Sequence, residues 1–106
     1  MFGKDFKRLM LFTPTETDVV CQITEHRDRP KPLRAFDQIP MHSGSQLLQA
    51  KLVADYLESR RVVFLGDYDC MSLVIGRLAK EKIIKPPEHM VVLDFDRRVL
   101  RFIKER

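Results

Sequence analysis

Residues 61–72 read RVVFLGDYDCMS, and this stretch constrains the fold more than any other. Val62, Val63, Phe64 and Leu65 would put apolar side chains on both faces of an extended segment, the pattern of a strand buried in a parallel sheet. Gly66 permits a sharp turn and a close backbone approach to a ligand. Asp67 and Asp69 then place charge at the carboxyl end of that strand, where open α/β sheets bind their ligands. The stretch therefore points to a small-molecule site.

The flanking segments supply the other elements. Residues 7–12 are short and apolar and predict a strand. Thr13, Pro14 and Glu16 have the spacing of a capping box with proline at the first helical position. Val19, Val20 and Ile23 follow at helical spacing, although so many β-branched residues fit a strand nearly as well. Residues 27–32 hold two prolines and four charges and predict a connector, continued as extended chain over 35–41. Ser43 and Gln46 have capping-box spacing, and Leu48, Leu52, Val53, Tyr56 and Leu57 predict the apolar face of the helix they open, with Lys51, Asp55 and Glu58 outside. After the carboxylate turn, Leu73, Val74, Leu78 and Ala79 predict a helix, stopped by Pro86 and Pro87. Residues 90–93 predict a second buried strand ending at Asp94 and Asp96. A last helix from Arg97 would carry Val99, Phe102 and Ile103 inward.

Strand, helix, strand, helix implies a right-handed crossover and two adjacent parallel strands. The expected fold class is α/β, a Rossmann-like parallel sheet of which only the first βαβα portion is present. Residues 1–40 read as an N-terminal extension and linker, and residues 41–106 as the N-terminal half of a transferase-like domain. Two parallel strands are too few for a stable sheet of this kind. The chain is thus expected to be a piece of a larger protein or to need a second chain.

Composition narrows the function classes. The 106 residues are 44% hydrophobic and 32% charged, the balance of an ordinary globular domain. No apolar stretch approaches the ~20 residues that cross a bilayer, so no membrane role is expected and the cytoplasm is the default. The formal charge of +4 is uneven, since residues 61–106 carry ten basic against seven acidic side chains. A nucleic-acid face is open on that ground, but solvated helix surfaces give the same balance. Cys21 and Cys70 form no CxxC pair and the three histidines are isolated, so no metal site is expected.

A nucleotide site of the Rossmann type needs a glycine turn after its first strand and an acid after its second, to accept hydrogen bonds from ribose. Gly66 and Asp94 hold those places, 28 positions apart. The full GxGxxG is absent, because Tyr68 and Cys70 stand where small residues belong, and Asp67 and Asp69 would repel a pyrophosphate. A cationic ligand suits the turn better, such as the sulfonium of S-adenosylmethionine, or a polyamine. In the structural alternative, Asp67 and Asp69 merely cap the following helix.

Residues 63–72 (VFLGDYDCMS) resemble the GD-x-D-x-x-S turn of branched-chain polyamine synthases, the N4-bis(aminopropyl)spermidine synthase family. Residues 91–100 (VVLDFDRRVL) resemble that family's second strand, and Asp37 and Gln38 a further family feature. The resemblance spans residues 36–104. It implies the class I S-adenosylmethionine-dependent transferase fold, with aminopropyl transfer from decarboxylated S-adenosylmethionine to a polyamine amine. By that likeness Gly66, Asp67, Ser72 and Asp94 contact the cofactor, and Asp69 is the catalytic residue nearest the amine, holding it and accepting its proton. Tyr68 departs from the family by replacing an acid. A methyltransferase using S-adenosylmethionine on another acceptor, nucleic acid included, fits the same residues. The alternative from another class is a non-catalytic Rossmann-like interaction module, nucleic-acid associated.

Overall fold

Thr13 opens the first helix as the sequence predicts. In the computed structural model, which describes residues 13–36, 38 and 42–106, its Oγ1 accepts the Glu16 amide at 3.2 Å and Pro14 takes the first helical position of α1 (Pro14–Thr24). The β-branched Val19, Val20 and Ile23 do form a helix, because 3.6-residue spacing puts all three on one buried face. The strand expected over residues 7–12 lies outside the described residues, as do Asp37 and residues 39–41. At the start of the segment expected to be extended over 35–41, Arg34–Phe36 form a 3-10 turn instead.

The second helix, α2 (Ser43–Leu57), differs from expectation in its cap and its face. His42 Nδ1 accepts the Gly44 amide at 3.1 Å, so His42 takes the cap and Ser43 is already helical. Gln46 is fully buried and reaches away from the helix start, to the Asp69 carbonyl. The core stripe is Leu47, Ala50 and Ala54, while Tyr56 is 67% exposed. Two alanines on that stripe suit a close helix approach, which leucine counting alone overlooks. Lys51 consequently points inward and pairs with Glu16 of α1 at 2.8 Å rather than facing solvent.

Strand β1 (Arg61–Leu65), helix α3 (Met71–Lys80), strand β2 (His89–Leu93) and helix α4 (Arg97–Lys104) follow in the predicted order. α3 ends at Lys80, ahead of the two prolines; the chain leaves it through Lys82 at φ 60°. β1 and β2 pair in parallel, Arg61 opposite His89 through Leu65 opposite Leu93. The two strands and two helices are the βαβα portion of a Rossmann-like α/β domain, and a partial domain.

The helices cover one face of the sheet. Phe64 and Met90 pack against a core built from Val19, Val20, Leu47, Ala50, Val74, Ile75, Leu78 and Phe102. α1 therefore shares its core with elements on the far side of position 40. On the other face Val63, Leu65, Val91 and Leu93 are 54%, 81%, 38% and 55% exposed. Burial of these strands is thus one-sided among the described residues, although their sequence is apolar on both faces. Parallel sheets normally bury both faces, so the bare face is the mark of a partial domain. No described helix is long and apolar enough to cross a membrane.

Candidate functional site

The turn after β1 is built by its own side chains. Gly66 sits at φ +75°, a region that disfavours any residue with a Cβ, and its amide donates to the Leu93 carbonyl at 2.7 Å. A Cβ there would meet nothing within 4 Å, so the glycine answers a conformational need and faces open space. Asp67 turns inward and is 4% exposed. Its carboxylate accepts the Met71 amide at 2.7 Å, the Ser72 amide at 3.2 Å and the Ser72 hydroxyl. Burial pushes its pKa up to about 6, against the pull of those bonds. Asp67 therefore closes the first turn of α3, the capping role weighed above for it and Asp69, with Ser72 as a donor; neither Asp67 nor Ser72 lines the cleft beside them. Cys70 enters α3 in the left-handed region at φ 57°, and burial pushes its thiol up to about 12, which leaves it protonated and inert.

Asp94 ties the two strand ends together. Its Oδ2 accepts the Asp67 amide and its Oδ1 the Asp96 amide, each at 2.8 Å. Two residues on, Asp96 caps α4 by accepting the Arg98 amide at 3.0 Å. The Arg98 guanidinium against Asp96, at 2.6 Å, holds that carboxyl down to about 2, and Gln38 Nε2 adds a bond of 2.8 Å. Arg98 also donates to the Lys31 carbonyl at 3.1 Å, so the connector is pinned over the strand ends.

Between connector and strand ends lies a cleft of about 1010 Å³. Leu65, Val92, Leu93 and Leu100 give it aliphatic surface, and Phe36 and Phe95 give it aromatic surface. Its ionisable lining is acidic: Asp69 and Asp94 are there, and no described lysine or arginine is. The cleft thus brings together Gly66, Asp69 and Asp94 from the expected site. Among the described residues no cluster of three His, Cys, Asp or Glu could hold a metal ion.

Two residues behind the turn escaped sequence reasoning. Arg29 belongs to the Pro-rich charged segment expected to be solvated, yet its side chain is 10% exposed. It donates to the carbonyls of Thr24 and Tyr68 at 3.1 Å each and lies 3.7 Å from Asp69 Oδ1. Tyr68 stacks on that guanidinium at 4.9 Å and donates its hydroxyl to the Pro30 carbonyl at 3.0 Å. Burial raises the Tyr68 pKa, so the phenol stays a neutral donor. Gln46 is the second, holding the Asp69 carbonyl from α2. Four charges in six residues mask Arg29, and a capping-box match misdirects Gln46; no sequence signal marks either.

Comparison with curated protein sequences gives no match. Among solved structures, the branched-chain polyamine synthase of Thermus thermophilus matches with TM-score 0.71 at 27% identity over 85% of this chain. Its C9 mutein matches with TM-score 0.67 at 27% identity over 84%. Both were solved in complex with N4-aminopropylspermidine and 5'-methylthioadenosine. The chain spans about a quarter of the length of each, 24% and 25%. The profile of the branched-chain polyamine synthase A C-terminal domain matches residues 18–106, which takes in every described element from within α1 to α4. With the glycine turn, the acid after β2 and the acidic cleft all inside that span, the chain belongs to the branched-chain polyamine synthase A C-terminal domain family.

Proposed function

We propose that this chain is the cofactor-binding part of an aminopropyltransferase, whose cleft takes decarboxylated S-adenosylmethionine and an amine acceptor of the polyamine class. The observation that carries this reading is Asp94, a carboxylate fixed by two backbone amides at the carboxyl end of β2, across from Gly66 on an acidic cleft. A carboxylate so held is pre-organised to accept hydrogen bonds from a ribose diol. The absence of any described basic residue from the lining disfavours a phosphate-bearing ligand and suits a sulfonium or ammonium. The cleft volume is at the upper end of the ~300–1,000 Å³ usual for small-molecule sites, enough for a nucleoside and an amine together.

The bound sulfonium supplies an activated carbon: amine nitrogen attacks it, the C–N bond forms, and the C–S bond breaks with its electron pair on sulfur, releasing 5'-methylthioadenosine. Asp69 attracts the cationic acceptor and takes up the proton that the attacking amine must lose. Asp67 and Ser72 serve the cofactor indirectly, by closing the turn that presents Gly66 and Asp69. With Arg29 turned inside, the connector is less basic a surface than its sequence suggests, which favours a polyamine over a nucleic acid as acceptor.

Calorimetry on the intact protein tests this reading. 5'-Methylthioadenosine and decarboxylated S-adenosylmethionine should bind, and Asp94→Ala should weaken both by ~1–3 kcal/mol through lost hydrogen bonds to a charged acceptor. Unchanged affinity would remove Asp94 from the site. No heat from either ligand with the wild type would sink the transferase reading altogether.

A further inference from the structure

We propose that Arg29 is a positioning residue for the acceptor amine: it clamps the turn at Tyr68 and Asp69 and sets the Asp69 carboxylate at the cleft, an inference that rests on the aminopropyl-transfer reading above. The clamp has two jaws. Arg29 reaches from the connector to the Tyr68 carbonyl at 3.1 Å, and Gln46 reaches from α2 to the Asp69 carbonyl. Gln46 is fully buried and the Arg29 side chain largely so, and each keeps one buried polar atom, Arg29 Nε and Gln46 Oε1, without a hydrogen-bond partner among the described residues. Burying polar atoms unpaired is unfavourable. An apolar side chain of similar volume would leave the Thr24 and Tyr68 carbonyls without this donor. The arginine instead joins three things at once: the carbonyls of α1 and of the turn, the Tyr68 ring face, and Asp69 Oδ1 at 3.7 Å.

That geometry has a chemical consequence. Asp69 lines the cleft, whereas Arg29 does not, so the carboxylate is braced from behind while its cleft side meets the ligand. A guanidinium suits this task because its planar fork can serve two carbonyls and stack on a ring simultaneously. An ammonium is a point charge on a flexible stem and keeps only part of that arrangement. The nucleoside end of the cleft depends on Asp94, which makes no bond to Arg29. Arg29 should therefore govern the acceptor and not the nucleoside.

The test is kinetic and uses the intact protein. Arg29→Ala should raise the KM for spermidine roughly tenfold or more, leave the Kd for 5'-methylthioadenosine within about twofold, and recover in part with millimolar guanidinium ion. Arg29→Lys keeps the charge and the stem, so it folds even where the alanine variant does not; it should show the same split at smaller amplitude. Amide exchange of Cys70, whose N–H bonds the Asp67 carbonyl at 2.9 Å across the turn, should quicken in both variants without any ligand. An unchanged spermidine KM, or an equal loss at both ligands, overturns the inference while the transferase reading stands. A wild type that binds no 5'-methylthioadenosine overturns that reading, and the amine role of Arg29 with it.

Discussion

Asp67→Asn should abolish a pH dependence of stability that the wild-type fold carries between about pH 4 and pH 6. The Asp67 carboxyl is 4% exposed, and burial lifts its pKa from 3.8 to about 6, more than the Ser72 hydroxyl and the Ser72 and Met71 amides pull it down. In the unfolded chain it titrates near 3.8. A raised folded pKa makes a contribution to stability that is fully present below pH 4, is lost as pH rises through the window, and is gone above pH 6. The gap between the two values corresponds to ~3 kcal/mol as an upper bound. Asparagine keeps the shape and one acceptor for the α3 amides but does not titrate. Urea denaturation of the intact wild type and variant from pH 4 to pH 7.5 would give the difference in stability, from which all other titrating groups cancel. That difference should fall by up to ~3 kcal/mol with rising pH. Parallel curves would refute the reasoning, and a wild type that gains on the variant with rising pH would show that the three donors outweigh burial. Asp96 acts in a separate window: its pKa is depressed to about 2, so its contribution is present above 3.8 and lost only as pH falls toward 2.

Three further outcomes follow from the packing. Gly66→Ala should cost ~1–2 kcal/mol, the strain of a Cβ in the left-handed region; because nothing lies within 4 Å of that Cβ, a larger loss in urea denaturation would reveal a contact the geometry excludes. Leu78→Ala, at a fully buried site in the middle of the core, should cost ~2–5 kcal/mol in the same assay. Lys51→Met should cost ~3 kcal/mol by leaving Glu16 buried without its 2.8 Å partner. The double variant with Glu16→Met should recover most of that loss in thermal unfolding, and an additive double variant would mean the pair is not coupled.

The parts of the fold that sequence made legible are those in which one local rule acts without competition. Thr13, Pro14 and Glu16 mark the start of α1 because the cap is a three-residue interaction. The strands are legible because apolar runs end in Gly66 and in Asp94, where the chain must turn. The α2 face is not, since Ala50 and Ala54 carry little hydrophobic signal yet are buried, and Lys51 reads as solvated until Glu16 is seen beside it. At the site, Gly66, Asp69 and Asp94 are legible because the chemistry of strand ends is local to each strand. Asp67 illustrates the limit: a carboxylate after a glycine turn can face a ligand or the helix that follows, and only the packing of Met71 and Ser72 against it decides. Arg29 and Gln46 meet the turn from 39 and 23 positions away, a separation that no motif spans.

The bare sheet face and the cleft share a boundary, which bears on any binding measurement. Leu65 and Leu93 belong to both: they are 81% and 55% exposed on the uncovered face, and they also line the cleft. Phe95, 95% exposed, stands at the same edge beside Asp94. In the Thermus thermophilus synthase some three-quarters of the length lies outside the part this chain matches. Whatever segment packs over Val63 and Val91 in a complete domain must also reach the cleft rim at Leu65 and Leu93, excluding water from one side of it. Water exclusion strengthens the charge interactions of Asp69 and Asp94 with a cationic ligand, since the same pair of charges attracts more strongly at lower effective dielectric. Affinity and fold completion are therefore coupled here. Removing the rim with Leu65→Ser and Leu93→Ser in the intact protein should weaken cation binding although neither residue carries a charge.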